Sequence, residues 1–247
     1  MKALAAALVI AQLATPAPPN YIDEAYEKGE TLDYSLTWLR MSGGTLRMTI
    51  APEAGDEKRI RMRSLGKSSS GFSRIFRVHD QIESIVDRDT FTTLEYHKRQ
   101  DEGGNKKEEI TRVEGGIATR TRKKIKKVRV PTPVYDPLSI IYYLRTLDLS
   151  PGKKHEIAVI ADAKLYSVHV HVVRRESVST ELGTFKTILV EPKMEAGGTE
   201  REERLLIWYS DDEKRIPVRI RTDVKFGTIT ATLRGMQSGA APIDAAK

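Results

Sequence analysis

The stretch Glu30-Thr31-Leu32-Asp33-Tyr34-Ser35-Leu36-Thr37-Trp38 alternates between polar and apolar side chains. Successive strand residues point to opposite faces, so Leu32, Tyr34, Leu36 and Trp38 share one face and Thr31, Asp33, Ser35 and Thr37 the other. The stretch therefore predicts a half-buried β-strand. Gly43 and Gly44 offer the unhindered backbone of a hairpin turn, and 45–51 returns as the second strand.

The same period recurs along the chain, punctuated by Gly, Asp and Asn, and predicts strands at 58–65, 78–86, 91–99 and 106–113. A long basic strand is expected over 117–130, and further strands over 156–161, 164–174, 184–191, 204–209, 217–224 and 228–234. Phe72, Ile75 and Phe76 are spaced for one helical turn, and 194–202 reads as a loop. The pattern changes once, at Asp136-Pro137-Leu138-Ser139. Asp136 suits an N-cap and Pro137 the first helical position, where its missing N–H costs nothing. Leu138, Ile141, Tyr142 and Leu144 follow at helical spacing before Pro151-Gly152, which predicts a helix over about 137–147, packed against a sheet. The fold class expected is mainly β: a strongly curved antiparallel sheet or open β-barrel around one buried helix. It would form a single β-rich domain over 26–235 with a disordered tail at 236–247; two sandwiches meeting near Pro131 are the alternative.

Lys2, the apolar run from Ala3 to Ala14 and the small residues Thr15, Pro16 and Ala17 have the order of a secretory signal peptide, expected to cover 1–17. The run falls well short of the ~20 apolar residues of a membrane-spanning helix, so no transmembrane span is expected in the mature chain. With no cysteine there is neither a disulfide nor a residue for lipoprotein acylation, and stability must come from packing. A formal charge of +7 and a pI near 9.4 favour an anionic partner. Outside the cytoplasm that partner is an anionic lipid, lipopolysaccharide or an acidic glycan rather than nucleic acid.

Several landmarks together resemble the bacterial family known as domain of unknown function 3108. They are Gly29-Glu30 with Tyr34 and Trp38, Ser70-Gly71-Phe72 through Phe76-Arg77-Val78 with Asp80 and Glu83-Ser84, Asp136-Pro137-Leu138-Ser139 with Tyr142-Tyr143-Leu144-Arg145, and Trp208 with Ser210-Asp211-Asp212 and Arg215-Ile216-Pro217. The resemblance runs from Tyr26 to Arg234. It implies an exported, β-rich domain and brings no catalytic residues with it. The dense basic run before Pro131 departs from the family pattern.

That run, Arg120, Arg122, Lys123, Lys124, Lys126, Lys127 and Arg129, is the candidate anion-binding stripe. On one strand Arg120, Arg122, Lys124 and Lys126 would share a face. The plainer account is a solvated edge strand whose lysines deter edge-to-edge pairing. Tyr34, Trp38, Phe72, Phe76, Tyr142, Tyr143 and Trp208 are the candidate lining of an apolar pocket, weighed against ordinary core packing. Gly66-Lys67-Ser68 lacks the first glycine of a phosphate-binding loop, since Arg61 stands there. His169 and His171 share a strand face without a third ligand nearby, and Asp80, Glu83, Asp87 and Asp89 suit turns and edges as well as chemistry. No catalytic, cofactor or metal set is legible, and the oligomeric state is left open. The sequence therefore points to an exported envelope protein that binds an anionic or amphiphilic component or assists envelope assembly, with a hydrolase of envelope glycans or lipids as the alternative.

Overall fold

The computed structural model describes residues 25–39, 41–74, 77–197, 199–200, 204–224 and 227–239. The expected signal segment 1–17 and the tail beyond 239 lie outside these residues. The first half of the chain forms β1 (Glu30–Trp38), β2 (Met41–Glu53), β3 (Asp56–Ser68), β4 (Val78–Asp87), β5 (Thr93–Glu102), β6 (Asn105–Glu114), β7 (Ile117–Thr121) and β8 (Ile125–Arg129). A short helix, α1 (Ser139–Tyr143), follows, continued by the 3-10 turn Leu144–Thr146. The second half forms β9 (Lys154–Ala161), β10 (Lys164–Thr180), β11 (Gly183–Ala196), β12 (Thr199–Glu200), β13 (Leu205–Ser210), β14 (Pro217–Val224) and β15 (Gly227–Ser238).

All fifteen strands belong to one antiparallel sheet, in the order β8-β7-β6-β5-β4-β3-β2-β1-β15-β14-β13-β11-β10-β9 with β12 on β11. The chain lays down a meander from β1 to β8, crosses through α1, and returns from β9 to β15, whose pairing with β1 joins the halves. Pro131 is thus no boundary between sandwiches. The sheet stays open between β8 and β9, where residues 130–135 run along the seam. Tyr135 makes a parallel bridge to Val159, Thr93 donates to the Val134 carbonyl at 2.9 Å, and Ala118, Val130, Val134 and Ile160 pack together.

One face of the curved sheet carries the main core. Leu32, Tyr34, Met48, Ile50, Met62, Val86, Val170, Val190, Ile207 and Leu233 pack there with Leu138, Tyr142 and Leu144 of the helical segment. A smaller cluster of Val178, Leu189, Leu206, Trp208 and Val218 covers part of the other face.

Five expectations are revised. The basic stretch 117–130 is a hairpin, β7 and β8, which reverses at 122–124. Gly43 and Gly44 lie within β2 rather than in a turn; Gly44 is needed because a Cβ there would stand 2.0 Å from the Lys67 carbonyl oxygen across the β2–β3 pair. The helix is five residues of α-helix plus a 3-10 turn, shorter than 137–147. Residues 236–238 are still paired strand, with Met236 opposite Leu32 and Ser238 opposite Glu30, and β11 and β12 take up most of the expected 194–202 loop.

Candidate functional site

The crossover segment closes one end of the curved sheet. Asp136 enters it first: its Oδ1 accepts from the backbone N–H groups of Leu138 and Ser139 at 2.8 and 2.9 Å, while the Ser139 hydroxyl accepts from the Asp136 N–H at 2.9 Å. This reciprocal cap starts the helical turn. Its Oδ2 accepts from the hydroxyls of Ser84 at 2.5 Å and Thr93 at 2.8 Å, which fastens α1 to β4 and β5. Burial pushes the Asp136 carboxyl above its ordinary pKa, and the hydrogen bonds from Ser84, Ser139, Thr93 and Leu138 offset this only in part. Across the same end the Tyr209 hydroxyl donates to the Ile141 carbonyl at 2.8 Å, and Arg145 spans to Glu30 and the Lys214 carbonyl. A cleft of about 340 Å³ opens beside Arg145 and Glu30, but Nε, Nη1 and Nη2 of Arg145 all donate within the protein. That guanidinium is therefore part of the plug.

The opposite end is built differently. Among the described residues it carries only the 3-10 turn Phe72–Arg74. Leu36, Leu46, Ile82, Met194, Leu205 and Ile220 lie there on the core-facing side of their strands, packed on the core yet only partly buried. The mouth thus has an apolar floor in partial contact with water.

Strand register fixes how that floor continues toward the seam. Pairing carries Tyr34 to Leu46, then Gly66, Asp80, Gln100 and Lys107, one row across six strands. The neighbouring row runs Leu32, Met48, Ser64, Ile82, Lys98 and Glu109. Along both rows the concave face passes from apolar to charged. Lys98, Gln100, Lys107, Glu109, Arg122 and Asp162 then line a cavity of about 220 Å³ at the seam.

The basic run divides. Arg120 is nearly buried and holds buried Glu109 through Nε at 3.0 Å and Nη2 at 2.6 Å, so it is a structural ion pair rather than part of an exposed stripe. The hairpin pairing sets Arg120 opposite Lys126 on the concave side and turns Lys127 and Arg129 to the other. Arg122, Lys123, Lys124, Lys126, Lys127 and Arg129 are exposed, and none makes an ion pair with a described residue. Ile125, at the hairpin tip among them, is 68% exposed.

The aromatic set separates into three places. Tyr34 and Tyr142 are fully buried in the core, and Tyr143 stacks on Tyr135 at 4.1 Å near the plug. Trp38 meets Phe72 edge-on at 5.5 Å at the mouth. Trp208 lies in the cluster on the opposite face, its Nε1 donating to Glu176 at 2.6 Å. Phe76 lies outside the described residues.

The carboxylates also disperse. Asp80 faces Gln100, Glu83 sits among Arg61, Arg63 and Gln81, and Asp87 caps the turn at Asp89 and Thr90. Burial raises the Glu83 pKa, but Arg63, Gln81 and Arg61 outweigh it and leave the carboxyl below its ordinary value. His169 and His171 share the outer face with Lys193 and Glu195. Among the described residues no three His, Cys, Asp or Glu side chains are grouped to hold a metal. Lys98, Lys107 and Glu109 were not singled out by sequence; the available signal was that Tyr96, Lys98 and Gln100 keep core phase while turning polar.

The model of a family described as "Protein of unknown function (DUF3108)" matches residues 32–234. The chain belongs to this family. No curated protein matches the DUF3108 chain in sequence. Among solved structures it is similar to a beta-barrel-like protein of domain of unknown function DUF1849 from Brucella abortus, with a TM-score of 0.59 and 13% identity over 87% of this chain and 100% of that one. That likeness shows a shared β-barrel-like fold. A LolA superfamily protein from Nitrosomonas europaea aligns over 90% of this chain and 92% of its own, at 9% identity and a TM-score of 0.29, too low to bear on fold or function. Among the described residues of the DUF3108 chain no helix is long and apolar enough to cross a membrane.

Proposed function

We propose that this DUF3108 protein is an exported envelope protein that binds a lipid with an anionic headgroup at the mouth of its curved sheet. The observation that carries this is the row from Tyr34 and Leu46 to Gln100 and Lys107, which joins a partly buried aliphatic floor to a cationic flank on one concave face. Each methylene that leaves water for such a floor contributes about 0.8 kcal/mol, so affinity grows with the length of acyl chain that the floor covers. The exposed cations of the β7–β8 hairpin, with Ile125 between them, then draw the mouth toward an anionic membrane surface. The signal-like start of the chain supports the envelope as the place where this occurs.

Titration with lysophosphatidylglycerol and lysophosphatidylcholine tests the proposal. Both lipids should bind, the anionic one more tightly, and the double variant Leu46→Gln/Ile220→Gln should lose both while keeping its β-sheet circular dichroism. Absence of binding by the wild-type protein, or unchanged binding by a folded variant, would overturn the proposal.

A further inference from the structure

We infer that the seam cavity lined by Lys98, Gln100, Lys107, Glu109 and Arg122 is a headgroup subsite for a phosphate ester whose alcohol part carries a hydroxyl. The inference rests on the lipid-binding reading and specifies the chemistry recognised there. Its lining is cationic in balance: Lys98, Lys107 and Arg122 face Glu109 and Asp162, and Arg120, outside the lining, neutralises Glu109, which leaves two positive charges in surplus at the cavity. Arg120 is committed to Glu109 at 2.6 Å and Lys98 stands 3.2 Å from Asp162. Lys107 and Arg122 make no ion pair with a described residue, so the surplus resides on them. Two cations converging on one concavity match a phosphate, whose oxygens accept several charge-assisted hydrogen bonds.

Glu109 adds the second element of recognition. It is 4% exposed, and its Oε2 takes both contacts from Arg120, yet its Oε1 has no hydrogen bond although Lys98 Nζ lies 3.5 Å away. A buried acceptor left unmatched costs stability, and a ligand that brings a donor recovers it. Beside a bound phosphate, that donor is a hydroxyl on the adjoining alcohol. At about 220 Å³ the cavity is below the ~300–1,000 Å³ that encloses whole drug-sized ligands, so it takes a headgroup and leaves the acyl chain to the mouth.

The experiment compares lysophosphatidylglycerol with the methyl ester of lysophosphatidic acid, which has the same charge and the same backbone hydroxyl but lacks the two hydroxyls of the headgroup glycerol, on wild-type protein and on Lys107→Gln/Arg122→Gln. The variant should retain its thermal midpoint, because neither side chain makes an ion pair with a described residue. It should weaken binding of lysophosphatidylglycerol by about tenfold or more, the loss of one or two charge-assisted hydrogen bonds, and weaken lysophosphatidylcholine less, because the choline ammonium offsets the charge of its phosphate. The wild type should also prefer the glycerol ester to the methyl ester. Equal binding of both esters, or equal binding by wild type and folded variant, overturns the subsite. If Leu46→Gln/Ile220→Gln still loses lipid in that case, the mouth survives and only the headgroup assignment falls; if the wild type binds no lysolipid, both fall.

Discussion

Arg145 holds Glu30 through two near-parallel contacts, 2.7 Å from Nη1 to Oε1 and 3.0 Å from Nη2 to Oε2, although 115 residues separate them. The pair joins the helical crossover to the first strand at the plugged end. Arg145 is 1% exposed. Burial opposes its charge, but Glu30 outweighs burial and holds the guanidinium pKa above its usual value. Removing one partner strands the other charge, so Glu30→Gln or Arg145→Met alone should cost about 3–5 kcal/mol. The double replacement Glu30→Gln/Arg145→Met should recover much of that loss, because no uncompensated ion remains. Urea unfolding of the three variants measures this, and additive losses would show that the residues act independently.

Asp136 gives stability a defined pH dependence. Its carboxyl holds a proton more tightly in the folded chain than in the unfolded one, with burial as the main cause. A group with a raised folded pKa contributes fully below its unfolded pKa, and that contribution is lost as pH rises through the folded value. Asp136→Asn keeps an N-capping oxygen and cannot titrate. The stability of the wild type relative to Asp136→Asn should therefore fall as pH rises from the carboxylate range toward neutrality. Denaturation midpoints across that interval decide it, and a constant or widening advantage for the wild type would contradict the assignment.

The two classes of cation in the basic run should separate on substitution. Arg120→Gln leaves buried Glu109 without its two donors and should destabilise the protein by somewhat less than the ~3–5 kcal/mol of a fully buried pair. Replacing Lys123, Lys124, Lys126 and Lys127 by Gln should leave stability within about 0.5 kcal/mol, as exposed substitutions do. The same fourfold variant should bind vesicles of phosphatidylglycerol more weakly than the wild type, whose own binding should decline as salt shortens the Debye length to ~8 Å. Thermal melts and vesicle sedimentation at two salt concentrations make the comparison. A stable Arg120→Gln protein would place that arginine on the surface.

How much of this was legible differs from element to element. The alternation of Leu32, Tyr34, Leu36 and Trp38 set the buried face of β1, because strand period is a local property of the chain. The Asp136 cap was equally local, since donor and acceptor lie within three residues. The reversal between β7 and β8 left no such mark, because Arg122-Lys123-Lys124 contains none of the residues that usually announce a turn. Gly44 misled for the converse reason: a glycine required by close cross-strand approach looks the same in sequence as one required by a turn. The seam cavity was out of reach altogether. Lys98, Glu109, Arg122 and Asp162 meet only through the register of four strands and the return of β9 to the far side, and both are tertiary facts.

The protein's two tryptophans report on opposite faces, which gives the mouth an optical test. Trp38 is partly buried at the mouth against Phe72, whereas Trp208 is 8% exposed on the other face and hydrogen-bonded to Glu176. In Trp208→Phe, emission comes from Trp38 alone. An acyl chain laid over Leu36 and Leu46 displaces water near that indole, so lysophosphatidylglycerol should move its emission to shorter wavelength. In Trp38→Phe the remaining indole is already shielded, and the same addition should leave its spectrum unchanged. Trp208→Phe also removes the Glu176 hydrogen bond, the main cause that holds that carboxyl below its ordinary pKa, so its stability must be checked before titration. If both single-tryptophan proteins are folded and the shift follows Trp208 instead, lipid contacts the outer face, and the concave mouth is not where it binds.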